Sequence, residues 1–327
     1  MNPERFWYEP HPIRIALLPL ALLFYLLGSL RRWLYRIGLL ETEKFPVPLI
    51  VVGNITVGGT GKTPLVIWLA QHLRSLGYKP GIVCRGYGGK ARHWPQQVRE
   101  DSDPSMVGDE AVLLAMRTGA PLWAGPNRPA AVRALLSGTD CDLVISDDGL
   151  QHYAMDRDLE ILVIDGRRGF GNGYLLPAGP LRETAGRLRT VDLVISNGPW
   201  RKDIPQMQMI EPRLLSLQDQ GRQAIPLDRF EGQQVHALAG IGHPEKFFEM
   251  LEQHGLKPIR HGFADHHEFV PGDLQFYPAL PILMTDKDGV KCKHLLHDDS
   301  WVVRIDAQPD DDFIKQLNTL LQELDDG

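Results

Sequence analysis

The chain is organised around one stretch, Gly53-Asn54-Ile55-Thr56-Val57-Gly58-Gly59-Thr60-Gly61-Lys62-Thr63-Pro64. An apolar run at residues 48–52 precedes it, and residues 65–73 carry apolar side chains at helical spacing. A strand, a glycine-rich turn, Gly-Lys-Thr and a helix, in this order, are typical of a phosphate-binding loop. Glycines let main-chain N–H groups turn towards phosphate oxygens, and the start of the helix adds partial positive charge. The sequence therefore predicts a nucleotide site from Thr56 to Thr63.

Two side chains of this loop suit ATP and Mg²⁺. Lys62 would reach the β- and γ-phosphates, and the Thr63 hydroxyl would be a ligand of the metal ion. The usual eight-residue motif begins with glycine, whereas this chain has Thr56 there. The alternative is a glycine-rich turn that only connects a strand to a helix, but the residues on both sides favour nucleotide binding.

Further apolar runs alternate with helical patterns along the chain. Runs at 81–84, 141–146, 159–165 and 192–196 are rich in β-branched residues, as expected of parallel strands that are covered on both faces. The alternation predicts two α/β/α domains, the larger with a P-loop NTPase-like parallel sheet. We predict an N-terminal helix and linker at 1–45, a P-loop domain at 46–204, a linker at 205–234, and a smaller α/β domain at 235–327.

The N-terminal apolar run at residues 15–27 predicts a membrane-associated helix. Arg14 precedes it, and Arg31, Arg32 and Arg36 follow. Three alternatives are a cleaved signal peptide, a spanning helix and a buried core helix; no small-residue cleavage site is evident, and the run is shorter than the roughly 20 residues of a typical span. We favour a helix on or shallowly inserted in the membrane, and the arginines favour a cytoplasmic location for the rest.

Composition excludes several other classes. A formal net charge of −6 argues against a general nucleic-acid-binding protein. The cysteines, Cys84, Cys141 and Cys292, have no paired spacing, so neither a disulfide framework nor a zinc site is predicted. No obligatory protein partner is expected either.

Acidic residues lie at the end of one predicted element and at the start of another. Asp147 and Asp148 end an apolar strand, where a P-loop enzyme holds Mg²⁺ or its water; a turn or helix cap is the alternative. Asp109 begins a helix, where it would be either an N-cap or a carboxylate that accepts a proton from an attacking hydroxyl group.

Histidines and arginines complete the set of candidate residues. Asp265-His266-His267-Glu268 could present one imidazole from the second domain to orient a group or relay a proton, and exposed histidines or a zinc site are the alternatives. Arg128 and the motif at 85–89 supply cations at strand ends. Residues 171–183, rich in glycine, proline and apolar residues, form either an ordinary long loop or a loop against an amphiphilic, anionic substrate.

Several of these blocks, in this order, resemble the tetraacyldisaccharide 4′-kinase family of bacterial lipid A synthesis. The resemblance covers nearly the whole chain, and the phosphate-binding loop without its first glycine is typical of that family. The blocks are the N-terminal apolar helix, residues 53–64, Arg85-Gly86-Tyr87-Gly88, Gly108-Asp109-Glu110, Asp147-Asp148-Gly149-Leu150-Gln151-His152, Leu176-Pro177-Ala178-Gly179-Pro180-Leu181-Arg182-Glu183 and Phe263-Ala264-Asp265-His266.

The resemblance implies transfer of the ATP γ-phosphoryl group, with Mg²⁺, to the 4′-hydroxyl of a tetraacylated glucosamine disaccharide 1-phosphate. It implies two domains around a cleft, at the cytoplasmic leaflet of the bacterial inner membrane. By position it makes Asp109 the base, paired with His266, and leaves His267 as the alternative partner. It also places Arg128 and Glu183 at the nucleotide or transfer site.

Two other functions share the phosphate-binding loop. A membrane-associated P-loop ATPase switch would carry a lysine just before the glycine pair, whereas this chain has Val57. A nucleotide-binding scaffold without activity would leave the carboxylates and histidines without a role. ATP consumption with and without the lipid acceptor separates these alternatives from a kinase.

Overall fold

The computed structural model describes residues 3–210, 212–216, 224–293, 295 and 299–326. Its helices are α1 Pro3–Tyr8, α2 Ile13–Arg36, α3 Lys62–Ser75, α4 Pro104–Val107, α5 Asp109–Thr118, α6 Arg128–Gly138, α7 Pro244–Gln253, α8 Asp286–Cys292 and α9 Asp311–Asp326. Its strands are β1 Leu49–Gly53, β2 Pro80–Cys84, β3 Gln96–Val98, β4 Leu122–Ala124, β5 Leu143–Asp147, β6 Leu159–Asp165, β7 Leu193–Asn197, β8 Gln206–Met209, β9 Arg213–Ser216, β10 Ala224–Pro226, β11 Gln234–Ala239, β12 Lys257–Gly262, β13 Ile282–Thr285, β14 Ser300–Arg304 and β15 Ala307–Pro309.

The chain forms two compact units that are not contiguous in sequence. The first unit contains Met1–Arg85, Ala120–Gln208 and Ala307–Gly327. The second unit contains Gly86–Gly119 and Met209–Asp306.

This division differs from the contiguous domains predicted from the sequence. Asp109 and α5 belong to the second unit, and α9 belongs to the first. The predicted linker at 205–234 contains β8, β9 and β10, and its residues 211 and 217–223 lie outside the described part of the chain. The reason is physical: hydrophobic periodicity identifies an element and its buried face, but not the sheet against which that face packs.

The first unit is built on a largely parallel sheet. Its strands have the order β15-β8-β7-β6-β1-β5-β2-β4, and β1 pairs in parallel with both β5 and β6. All five residues of β1 and of β5 are buried, which explains their nearly continuous apolar sequences. The predicted α/β class with a parallel P-loop sheet is confirmed.

The second unit has its own sheet, of order β10-β9-β14-β13-β11-β12. The strands from β14 to β12 run parallel, whereas β9 pairs antiparallel with β14 and with β10. Phe248 and Leu251 of α7 are buried against this sheet in a core with Leu283. The second unit is therefore an α/β unit, in agreement with the predicted fold class, although its segments differ from the predicted bounds 235–327.

Helix α2 leaves most of its apolar surface open to solvent. It spans 24 residues and is the one helix in the described part of the chain that is long and apolar enough to cross a membrane. Leu22, Leu23, Leu26 and Leu27 are more than half exposed, and Ala21 is the buried residue of the helix. A buried core helix, one of the alternatives above, does not match this exposure, because such a helix would turn these leucines inward.

The C-terminal helix stabilises the P-loop unit. Phe313, Leu317 and Leu321 form its buried face, and the ring of Phe313 lies edge-on to Trp68 of α3 with 6.0 Å between centroids. The carboxylate of Asp310 accepts the N–H of Phe313 at 2.9 Å and so caps the helix.

We expect Phe313→Ala to destabilise the first unit by about 3–5 kcal/mol, the usual cost of removing a fully buried phenyl ring. Denaturant-dependent hydrogen exchange at the α3 amides would measure the loss. Gln316→Ala changes an exposed residue of the same helix and should leave the exchange rates unchanged. Equal rates in wild type and Phe313→Ala would contradict the packing described here.

Candidate active site

The glycine-rich loop joins the carboxyl end of β1 to the start of α3. The side-chain amide of Asn54, which is fully buried, donates to the carbonyl of Gly58 at 3.4 Å and to Thr60 Oγ1 at 3.2 Å. Gly61 precedes α3 with φ +96°, in the left-handed region that favours glycine. The main chain therefore curls around a concave turn that ends in Lys62 and Thr63, the geometry that phosphate binding requires.

The loop at residues 176–183 packs beside this turn. The N–H of Val57 donates to the carbonyl of Pro180 at 2.8 Å, and the N–H of Arg182 donates to the carbonyl of Ile55 at 2.7 Å. Thr56 and Leu181 form an antiparallel bridge between them. The loop thus supports the phosphate-binding turn.

The parallel pairing of β1 with β5 brings the acidic pair to the same edge of the sheet. Val52 is opposite Asp147, so both strands end at one level. Asp148 has φ +50°, uncommon for a residue with a side chain. Its carboxylate lies 3.4 Å from Lys62 Nζ and 3.2 Å from Arg182 Nη1.

These cations determine the ionisation of the site. Burial raises the pKa of Asp148, but Lys62 and Arg182 outweigh it and bring the pKa to about 2. Burial, together with the guanidinium groups of Arg128 and Arg85, lowers the pKa of His152 to about 4. At neutral pH the edge of the sheet therefore carries an ionised carboxylate beside a neutral imidazole.

The oxygen atoms here fit a magnesium ion. Asp147, Asp148 and Thr63 offer hard oxygen donors, the kind that Mg²⁺ prefers. No group of three or more His, Cys, Asp or Glu side chains suited to a metal ion occurs within the described residues. A site with few protein ligands suits Mg²⁺, which keeps several waters and substrate phosphate oxygens in its shell.

Arg128, predicted at the nucleotide or transfer site, is buried against the acidic turn. Its side chain is 1% exposed, and its Nη2 donates to the main-chain carbonyl of Asp147 at 2.7 Å. Nη1 lies 3.5 Å from the carbonyl of Gly125. Burial lowers the pKa of this guanidinium from its ordinary value. Arg128 therefore holds the main chain of the acidic turn from within the first unit.

Glu183, also predicted at the nucleotide or transfer site, links α2 to the rest of the first unit. Its carboxylate, 6% exposed, accepts from Arg32 Nη1 of α2 at 2.9 Å. Tyr153 and Gln151 also donate to it, each at 2.8 Å. Glu183 lines a cavity of about 600 Å³ together with Asp148, and Phe24 and Leu27 of α2 line the same cavity.

The second unit pairs Asp109 with His266. The Asp109 carboxylate is 4% exposed, and His266 Nδ1 lies 3.1 Å from its Oδ1 and 3.0 Å from its Oδ2. Burial raises the pKa of Asp109, but the His266 hydrogen bond and the charge of Lys287 outweigh it and lower the pKa below its ordinary value. Because an ionised carboxylate only accepts hydrogen bonds, Nδ1 of His266 carries the proton.

His266 is held in an uncommon conformation. It has φ +59°, and its ring lies 5.1 Å from that of Tyr87. Gly88, with φ +80°, approaches so closely that a Cβ atom there would lie 3.3 Å from His266 Nδ1. The motif that the sequence analysis treated as a source of cations thus supplies, through Tyr87 and Gly88, the packing surface of this imidazole.

The adjacent histidine has another partner. His267 Nε2 lies 2.9 Å from Asp273 Oδ2. The two imidazoles therefore point to different carboxylates, and the pair with Asp109 is formed by His266. The described residues contain no cluster that fits the zinc alternative.

Three residues of these clusters were not predicted as site residues from the sequence: Asn54, Arg182 and Lys287. A single polar residue next to a motif does not by itself indicate a functional site. Asparagine after a strand, for example, is common in turns. Lys287 lies in the segment 285–291, whose polar residues match an ordinary helix start as well as a site.

Comparison with known proteins decides the family. The family model described as tetraacyldisaccharide-1-P 4′-kinase matches residues 13–322. The chain belongs to this kinase family. It is 51% identical over 320 residues to the tetraacyldisaccharide 4′-kinase of Nitrosococcus oceani, covering 98% of this chain and 94% of the relative. It is 50% identical to the tetraacyldisaccharide 4′-kinase of Methylobacillus flagellatus, covering 94% and 92%.

A solved structure agrees with this assignment. The chain superposes on LpxK from Aquifex aeolicus, solved in complex with ATP, with a TM-score of 0.81 at 27% identity, over 95% of this chain and 99% of that one. Membership of the tetraacyldisaccharide 4′-kinase family confirms the predicted enzyme class, a phosphotransferase with an alcohol acceptor. The ATPase switch is not favoured.

The buried arginine of this kinase provides a test of the site. We expect Arg128→Met to lower the free energy of unfolding by about 1–3 kcal/mol, because the carbonyl of Asp147 would lose its buried donor. Chemical denaturation followed by circular dichroism measures this. Arg133→Met is the matched control, since Arg133 lies on the same helix with a 56% exposed side chain. Equal effects of the two substitutions would contradict the role of Arg128 described here.

Proposed function

We propose that this kinase transfers the γ-phosphoryl group of ATP to the 4′-hydroxyl of a tetraacylated glucosamine disaccharide 1-phosphate at the cytoplasmic leaflet of the bacterial inner membrane. One observation carries the proposal beyond family membership. A buried, ionised carboxylate, Asp109, is bonded to the imidazole of His266. Phosphoryl transfer to an alcohol requires such a base to accept the proton of the hydroxyl group, whereas a nucleotide switch or scaffold does not.

The donor half of the reaction belongs to the first unit. The loop from Thr56 to Thr63 would surround the ATP phosphates with main-chain N–H groups other than that of Val57, which bonds to Pro180. Lys62 would neutralise charge on the γ-phosphoryl group. Asp147, Asp148 and Thr63 would hold Mg²⁺ or its waters, and the bound ion would neutralise further charge on the phosphates. Arg182 lies beside Asp148 and is a second cation of the same edge.

The acceptor half belongs to the second unit. A sugar hydroxyl is a poor nucleophile, and Asp109 would accept its proton as the oxygen attacks phosphorus. The Nδ1–H of His266 donates to the Asp109 carboxylate and so orients it towards the sugar hydroxyl, whose proton then resides on Asp109. The same hydrogen bond raises the pKa of His266 above its ordinary value.

The substrate is an amphiphile, and the cavity beside α2 has matching surfaces. Phe24 and Leu27 provide apolar surface, while Arg31, Arg85 and Arg182 provide cations for a phosphate or for sugar hydroxyls. A second cavity, of about 670 Å³, continues along α2 and is lined by Leu18, Leu22 and Leu181. Acyl chains in this second cavity would lie against the helix that contacts lipid.

The decisive experiment follows transfer of labelled phosphate from ATP to the tetraacyl disaccharide 1-phosphate in detergent micelles. We expect Mg²⁺-dependent label in the lipid, and ATP consumption only when the acceptor is present. Asp109→Asn should lower kcat by about 10²- to 10⁴-fold, the usual contribution of a general base. ATP affinity, measured separately by calorimetry, should be unchanged.

Two outcomes would contradict the proposal. If folded protein binds ATP but never labels the lipid, the tetraacyl disaccharide 1-phosphate is not its substrate. An Asp109→Asn variant with normal kcat and a raised KM would remove Asp109 from the role of base.

The membrane role of α2 has its own test. We expect Leu23→Glu combined with Leu26→Glu to abolish flotation with vesicles that contain anionic phospholipid, because two charges would enter the apolar contact surface. Leu76→Glu changes an equally exposed leucine outside α2 and should float like wild type. Flotation of the double variant at the wild-type level would show that α2 is not the anchor.

A further inference from the structure

Lys287 contacts the proposed base without belonging to any of the motifs described above. Its Nζ atom lies 3.8 Å from Asp109 Oδ2, 3.5 Å from Glu110 Oε1 and 3.1 Å from Asp265 Oδ1. Its side chain is only 14% exposed. A partly buried ammonium group in contact with three carboxylates remains charged, because each carboxylate favours the charged form over the neutral one.

Helix α8 presents this lysine from a fixed position. The Thr285 hydroxyl accepts the N–H of Asp288 at 3.1 Å and so caps the helix. Asp288 is itself fully buried, where it accepts the N–H of Gly240 at 2.9 Å. Gly289 lies so close to β14 that a Cβ atom there would be 2.3 Å from Val302 Cγ2. The helix is thus held at its start and along its side.

A second ion pair fixes α8 against α5, the helix that carries Asp109. Arg117, near the end of α5, pairs with Asp286, the first residue of α8. Its guanidinium also pairs with Asp306. The distance between Lys287 and Asp109 is therefore set by contacts outside the Asp109–His266 pair.

The charges around the pair come from three elements. Asp109 and Glu110 belong to α5, Asp265 and His266 belong to the loop after β12, and Lys287 and Lys291 belong to α8. Lys291 Nζ lies 2.8 Å from Asp288 Oδ1 and helps to hold α8. Lys287 is the cation that directly contacts the carboxylate of Asp109.

We propose that Lys287 is a positioning residue for proton transfer, whose partly buried ammonium group keeps Asp109 ionised and limits protonation of His266. This inference rests on the proposed role of Asp109 as the base. The charge of Lys287 lowers the pKa of both Asp109 and His266. Its charge stabilises the carboxylate of Asp109 and repels the imidazolium form of His266.

The structure supports this direction for each group. After burial, which acts in the opposite sense, the His266 hydrogen bond and then Lys287 lower the pKa of Asp109. For His266, the Asp109 hydrogen bond raises the pKa, whereas burial and Lys287 lower it. Removing the lysine charge would therefore raise both pKa values, and the acid limb of the pH–rate profile, which reports the coupled pair, would move to higher pH.

The test compares pH profiles of kcat for wild type, Lys287→Met and Lys287→Arg. We expect the acid limb of Lys287→Met to move up by about one pH unit, the scale on which a neighbouring cation shifts a carboxylate. At a pH on the acid limb, turnover of Lys287→Met should be about tenfold lower than that of wild type. At a pH well above the acid limb, the two proteins should turn over at the same rate. Lys287→Arg keeps the charge and should keep the wild-type limb, and KM for ATP should not change.

Lys90→Met is the matched control. Lys90 also belongs to the second unit and pairs with a carboxylate, Glu268, but its side chain is 67% exposed. Its profile should superimpose on that of wild type. A Lys287→Met profile that is lowered equally at every pH, with the acid limb in place, would reduce Lys287 to a structural role and overturn the proposal.

A titration without substrate gives an independent reading. In protein with ¹³C-labelled histidine, the His266 signal is assigned as the one that is lost in His266→Gln. We expect Lys287→Met, or Lys287→Gln should the first not fold, to raise the pKa of His266. An unchanged titration in folded protein would refute the coupling even where the enzyme assay is blank. Failure of the proposed function would give different results. The wild-type protein would transfer no phosphate to the lipid, or the Asp109→Asn variant would keep its activity.

Discussion

The parallel pairing of β1 with β5 is the constraint on which the first unit depends. Val52 stands opposite Asp147, so the glycine-rich turn and the acidic turn leave the sheet at the same level. The two segments lie far apart in sequence, and only the sheet brings Lys62 within 3.4 Å of Asp148. The ionised carboxylate, the two cations around it and the buried Arg128 beneath it all follow from that register.

Much of this arrangement is readable from sequence because it depends on local patterns. The apolar runs that became β1, β5, β6 and β7 are nearly continuous, and a strand buried on both faces has few other patterns available. The glycine-rich loop is recognisable because its backbone needs glycine at a left-handed position before the helix. The kinase family was predicted from the order of such blocks, and the comparisons confirm it.

The sequence was less informative wherever a side chain acts through tertiary contact. Arg128 begins a helix after a strand, which is also where an arginine would face a nucleotide, and only burial reveals that it holds a main-chain carbonyl. Asp109 and His266 were predicted to pair from separate domains, whereas both belong to the second unit. The unit to which an element belongs depends on the sheet against which it packs, and local hydrophobic periodicity does not identify that sheet.

The segments of the two units alternate along the gene, which limits how recombination can exchange them. The first unit takes three segments of chain and the second takes two, so the backbone passes between them four times. No single cut in the gene separates the nucleotide-binding unit from the unit that carries the proposed base. A single crossover between two such genes would divide at least one of the two cores. One such crossover therefore cannot exchange either unit intact.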